Sequence, residues 1–268
     1  MSAARLAVVG GKYLALAGAA VRRCIAERAV LVGRVVFLGV IIFTFSRIWA
    51  VIGARESLPG VGVRELLWYL AITEWVVLGT PPMFLAIERE VRSGDFACRL
   101  VRPIDYMGAQ IAEAVGEAAL RMAALAPAGA LYALAFGGGL PADPRGLWLA
   151  LPLALLGSLV AILFMAAIGL SAFWVVDTNP CFLVWQKLVF VLGGLLFPLE
   201  IYPEWLQRLA HLTPFPLICW APGRMALGWE PQLALSAALQ DLFWIGLLAG
   251  LVMFLSAQAR ARLTVAGG

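Results

Sequence analysis

Between residues 146 and 176 the chain runs for 31 residues without a charged side chain, well beyond the roughly 20 apolar residues that carry a helix across a bilayer. Residues 122–142 give 21 more such positions and residues 242–259 another 18. With 63% hydrophobic residues against 13% charged, the polar side chains are too few to cover a soluble globule. Three further segments, 35–54, 66–87 and 182–199, are nearly as apolar and carry Arg47, Glu74 and Lys187. Backbone groups in lipid must be satisfied within their own segment, and no strand-like alternation appears, so all six are read as helices. The prediction is an all-α membrane protein, one domain over 1–268 with six transmembrane helices. Six spans and their loops use nearly the whole length, which leaves no room for a separate soluble catalytic or ATPase domain.

The net charge of +4 matters through its distribution. With the N-terminus inside, twelve basic residues fall on the cytoplasmic side: Arg5, Lys12, Arg22, Arg23, Arg28, Arg89, Arg92, Arg99, Arg102, Lys187, Arg260 and Arg262. Five fall outside: Arg55, Arg64, Arg145, Arg208 and Arg224. That asymmetry predicts both termini in the cytoplasm, and no nucleic-acid partner is expected. The first 28 residues lack the compact apolar core of a cleavable signal. From Lys12 to Arg28 the apolar positions Leu14, Ala17, Val21, Cys24 and Ile25 recur at helical spacing opposite a basic face, which predicts an amphipathic interfacial helix over 1–28.

Residues 87–107 form the second cytoplasmic segment. Glu88-Arg89-Glu90-Val91-Arg92-Ser93-Gly94-Asp95-Phe96 packs five charges into nine residues. Gly94 suits a helix end and Asp95 a following cap, so the reading is a short helix, a turn and a return to the bilayer. Its Arg92, Arg99 and Arg102 suit either anionic membrane lipids or the acidic groups of a soluble partner. On the outer side, residues 197–231 are broken by Pro198, Pro203, Pro214, Pro216 and Pro222. They are expected to form re-entrant half-helices, a lid whose named residues are Pro198, Glu200, Pro203, Trp205, Pro214 and Pro222, with tryptophans at the interface.

Catalytic signals are missing. The sole Gly-Lys pair, Gly11-Lys12, is followed by Tyr13 and has Leu6 where a phosphate-binding loop needs glycine. His211 is a single histidine, and Cys24, Cys98, Cys181 and Cys219 form no zinc or disulfide pattern. An enzyme, a metal site and a resident cofactor are therefore not expected. Charge within the spans points to a transport path. Glu74 either lines a polar cavity or pairs with Arg47 or Arg34; Thr80-Pro81-Pro82 must interrupt its helix. Glu113, Glu117 and Arg121 share one face at spacings of four, Glu117 within reach of Arg121. Glu74, Thr80, Glu113, Glu117 and Arg121 are the candidate path residues.

The charged stretch Glu90-Val91-Arg92-Ser93-Gly94-Asp95-Phe96, followed by Leu100-Val101-Arg102-Pro103, resembles the first cytoplasmic loop of type-2 ATP-binding-cassette exporter permeases, and the order of elements is similar along the whole chain. The resemblance implies a coupling helix seated on a separate ATPase. The implied contact residues are Glu88, Arg89, Glu90, Val91, Arg92, Ser93, Gly94, Asp95 and Phe96, with Arg99, Arg102 and Pro103 anchoring the exit. It further implies two ATPase subunits carrying ATP and magnesium, a second permease chain, identical or not, a bacterial cytoplasmic-membrane location, and export by alternating access. The apolar spans suit a hydrophobic or amphipathic cargo. A self-contained secondary carrier or channel is the alternative, and a membrane-embedded enzyme of lipid metabolism lacks the polar cluster it needs.

Overall fold

The computed structural model describes residues 3–53, 62–100 and 104–266, and among them every regular element is helical. Five helical stretches are long and apolar enough to cross a membrane: Arg28–Ile52, Val63–Ser93, Tyr106–Gly137, Gly146–Phe173 and Pro231–Arg262. With the shorter apolar helix Asn179–Leu192 they make a six-helix bundle.

Helix α1 (Ala3–Ala26) precedes α2 (Arg28–Gly53), the first span. On α2 only a stripe is buried, Leu38, Ile42, Ser46 and Trp49, and the spacing of three and four is one helix face. This span begins earlier than its hydropathy suggests and encloses Arg34, whose Nη1 donates to the Leu78 carbonyl at 2.7 Å. The centre of the bundle is α3 (Val63–Gly79), with twelve of its 17 residues buried, as expected of a helix apolar all round. Three of its polar side chains find partners inside: Trp75 Nε1 donates to the Met122 carbonyl at 2.8 Å and Thr73 Oγ1 to that of Leu195 at 2.7 Å, while Tyr69 donates to Gly194.

At Thr80-Pro81-Pro82 the ladder fails, because proline has no N–H to continue it. The Thr80 hydroxyl donates back to the Val76 carbonyl at 2.9 Å, and the chain restarts as α4 (Phe84–Ser93) and α5 (Asp95–Leu100). Between them Gly94 takes φ +79, a left-handed conformation that costs a residue with a Cβ. The long α6 (Tyr106–Gly137) follows, opened by the Asp105 carboxylate accepting from Gly108 N at 2.7 Å. The amphipathic α1 lies along α6. Their backbones meet at Gly116, where a Cβ would stand 2.4 Å from the Ala17 carbonyl oxygen.

The second half of the bundle is α7 (Gly146–Leu170), a 3-10 turn at Ser171–Phe173, α8 (Asn179–Leu192), and α12 (Pro231–Ala266), which packs along α7. Before α12 come a 3-10 turn at Leu199–Ile201 and three short helices, α9 (Glu204–His211), α10 (Phe215–Ile218) and α11 (Trp220–Arg224). Three details depart from the pattern of hydropathy. Lys187 lies well inside α8, nine residues into the helix counting from Asn179; α12 starts eleven residues before position 242 and so carries Asp241 within it; and Gly246 and Gly250, spaced as a GxxxG pair, make no close helix contact among the described residues.

Candidate functional site

One end of the bundle carries the charged segment. α4 is strongly amphipathic, and its inward face is Phe84, Ile87 and Glu88. Phe84 stacks on Phe182 with centroids 4.6 Å apart, and the ring of Phe96, 1% exposed, sits between Tyr106 at 4.5 Å and Phe173 at 4.8 Å. The two glutamates of α4 also point inward. The Glu88 carboxylate accepts from Thr178 N at 3.2 Å and from the Thr178 hydroxyl, and pairs with Arg92 at 2.8 Å. Glu90 accepts from the Tyr106 hydroxyl at 2.7 Å and Gln110 Nε2 at 3.0 Å and pairs with Arg99 at 2.9 Å. α4 is thus clamped on one flank to the 171–178 turn and on the other to the first turns of α6.

What remains outward is the tip: Ser93, Gly94, Asp95 and Cys98 are exposed, Arg92 is half-exposed, and Val91 packs partly inward. Ser93 Oγ donates to Asp95 at 2.8 Å and fixes the turn. Beside the tip stand Trp174, Val175 and Val176, the last 88% exposed, and Arg92 donates to the Val176 carbonyl. The neighbouring Asp177 accepts from Asn179 N at 3.0 Å and from its side-chain amide at 2.8 Å, and these bonds, the backbone one first, hold its carboxyl below the usual carboxylate range. The C-terminal end of α12 closes the same end: Arg262 donates to the Phe173 carbonyl at 3.2 Å and lies over Trp174.

Of the residues singled out from the sequence, Glu88, Glu90 and Phe96 are therefore anchors, and Arg92, Ser93, Gly94 and Asp95 form the presented surface. Arg89 is exposed on the flank facing α6. Arg102 and Pro103 lie outside the described residues. Sequence reasoning missed Thr178, Tyr106, Gln110 and the 174–177 turn. Their contacts join residues 16 to 90 positions apart, and no local pattern announces them.

The proposed path residues are not brought to one place. Glu113, Glu117 and Arg121 line a cleft of about 480 Å³ between α1, α4 and α6, with Glu113 paired to Arg23 and Glu117 to Arg121. Glu74 is buried in α3, 5% exposed, and among the described residues has no ion-pair partner: Arg34 is turned to Leu78 and Arg47 lies over the Phe43 ring. Asp241, fully buried in α12, is a second such acid, and neither of its oxygens has a hydrogen-bond partner among the described residues.

At the opposite end, α10 and α11 are buried as a wedge against α3 and α7, whereas α9 rides on the surface with Trp205 67% exposed. Pro203 and Pro214 precede α9 and α10, Pro198 opens the 3-10 turn, and Pro222 is buried within α11. Glu200 joins the pieces: it pairs with Arg224 at 3.0 Å and accepts from Trp220 Nε1 at 3.2 Å, and Arg224 also pairs with Glu230 at 2.8 Å.

A family model described as ABC-2 family transporter protein matches residues 35–267. No curated protein matches the chain.

Proposed function

Because the chain belongs to the ABC-2 family of transporter proteins, and is therefore a multi-pass permease component of an ABC transporter, we propose that it is one membrane half of an exporter driven by separate ATPase subunits docked at the α4–α5 tip. Two ATPases, carrying ATP and magnesium, close on nucleotide and rock two permease halves about a shared interface. The second half is another copy of this chain or a related one. The path runs between the halves, beneath the segment 197–231, and the cargo is hydrophobic or amphipathic. The tip, α1 and both termini face the cytoplasm, in a bacterial cytoplasmic membrane.

The observation that carries this reading is the inward commitment of Glu88 and Glu90. A charged segment that only met water or lipid headgroups would need no clamp on both flanks. One that must pass on a push needs to be rigid against the bundle and still present groups outward. Arg92, Asp95 and the exposed Trp174–Val176 edge supply polar and apolar contact for a soluble partner.

Reversing the tip charge in Asp95→Arg, which also removes the Ser93 bond, or placing a carboxylate on the apolar edge in Val176→Asp, leaves the Glu88, Glu90 and Phe96 anchors in place. Each is expected to weaken association with the cognate ATPase by about tenfold or more, the factor set by 1.4 kcal/mol. Titration of ATPase onto permease in nanodiscs checks it. Unchanged affinity in both variants counts against docking at this surface.

A further inference from the structure

The cleft between α1, α4 and α6 holds cationic groups that the described residues do not fully satisfy. Arg121 lies furthest along α6 of all the residues lining it, where the charge-free part of α6 begins, and is 7% exposed. One guanidinium nitrogen is paired to Glu117; the other two, Nε and Nη1, are buried with no partner among the described residues. Arg34 does not itself line the cleft but stands behind it, within electrostatic reach of Arg121 and Glu117, and its Nε is likewise buried with no partner among the described residues. Arg89 reaches the cleft from α4 and has no ion pair among the described residues. Three of the four acids in the cleft are already committed, Glu113 to Arg23, Glu117 to Arg121 and Glu90 to Arg99, and the fourth, Glu27, is exposed.

Buried guanidinium N–H groups without acceptors are costly, each missing bond on the order of 1–3 kcal/mol, and two such arginines side by side repel one another. An anion in the cleft offsets the positive charge of both, and the planar guanidinium of Arg121 fits phosphate with paired bonds. The volume of about 480 Å³ lies within the roughly 300–1,000 Å³ typical of small-ligand clefts. The roof is α1, held across the cleft by the Arg23–Glu113 pair, in which Arg23 is 64% exposed; an ion pair so open to solvent yields readily.

We propose that this cleft is a binding site for a phosphate-bearing anion, with Arg121 at its base, Arg34 behind it and Arg89 at its mouth. Arg121 stands where the charge-free part of α6 begins, and α1, packed along α6, exposes apolar residues such as Leu14 and Ile25, a combination suited to a lipid headgroup region. The shared chemistry is the phosphate group, whether carried by an anionic lipid headgroup or by a soluble phosphate.

The test is the thermal unfolding midpoint of the full-length chain in detergent, titrated separately with phosphatidylglycerol, phosphatidylcholine and inorganic phosphate. Phosphatidylglycerol is expected to raise the midpoint saturably, and phosphatidylcholine to do so far less. Arg121→Gln is expected to raise the half-saturating concentration about tenfold or more, and Arg121→Lys less. Arg89→Gln, at an exposed position with no ion pair or side-chain hydrogen bond among the described residues, keeps the test open should Arg121→Gln fail to fold, and is expected to weaken the response by a smaller factor. A response to inorganic phosphate at equal strength supports the site and assigns a soluble ligand. No saturable response to either phosphate source, an equal response to phosphatidylcholine, or a response unchanged in both Arg121→Gln and Arg89→Gln overturns the proposal. The readout needs no ATPase and no cargo, so it fails or succeeds independently of the coupling role of α4.

Discussion

Glu90→Ala is expected to abolish most transport, by about tenfold or more, while leaving the six-helix bundle assembled. The carboxylate joins Tyr106, Gln110 and Arg99, and Tyr106 and Gln110 are 5% and 6% exposed. Removing it leaves the buried Tyr106 hydroxyl without its acceptor and the Arg99 guanidinium without its ion pair, while the Gln110 amide keeps its 3.3 Å bond to the Tyr106 hydroxyl. The cost is on the order of 3 kcal/mol, intermediate between a charge-assisted hydrogen bond and a buried ion pair. That loss falls on the contact between α4 and the start of α6, so the tip loses its stiffness and not its surface charge. ATP hydrolysis by the assembled transporter is expected to continue with much reduced cargo movement, measured together in proteoliposomes. Glu90→Gln keeps an acceptor for Tyr106 and is expected to fall between the two. Wild-type transport in Glu90→Ala would show that α4 is not held by this network.

The second large effect is expected at Phe96. Its ring fills the junction of α5, α6 and the 171–173 turn, edge-on to both Tyr106 and Phe173. Truncation of a buried phenylalanine to alanine costs roughly 3–5 kcal/mol through lost burial and the cavity left behind. In this position the cost is local to the tip. Phe96→Ala is expected to raise backbone hydrogen exchange across residues 84–100 and 171–178 by about a hundredfold, since 2.7 kcal/mol already corresponds to that factor. The spans α7 and α12 should keep their protection. Phe96→Leu, which retains most of the volume, is expected to show a much smaller rise. Equal exchange in wild type and Phe96→Ala would remove Phe96 from the clamp.

The parts of this architecture that depend on neighbouring residues can be read along the chain. Charge-free runs announce the spans, Thr80-Pro81-Pro82 announces the break after α3, and Gly94 announces the left-handed turn. The Glu117–Arg121 pair follows from helical spacing alone. What could not be read depends on residues far apart in sequence. Glu88 looks like a solvated charge until Thr178, 90 positions later, is folded against it. Phe96 looks like part of a contact surface until Tyr106 and Phe173 enclose it. Asp241 stands immediately before the uncharged run 242–259 and looks like a flanking residue, although the helix begins at Pro231. The separation of anchor from presented surface within one charged stretch is likewise a tertiary property, because alternate charges of α4 go to opposite flanks.

The most direct measurement of the central claim is a crosslink from the tip. With the native cysteines replaced by alanine, Ser93→Cys, exposed between α4 and α5, is joined by a short bismaleimide to single cysteines placed over the ATPase in the assembled transporter in native membranes. A second permease variant, Trp205→Cys on exposed α9 at the other end of the bundle, serves as the comparison. The account predicts that position 93 crosslinks to the ATPase and position 205 does not. Crosslinks from position 205, or none from position 93 while it reacts with an impermeant maleimide added from outside the cell, would contradict it.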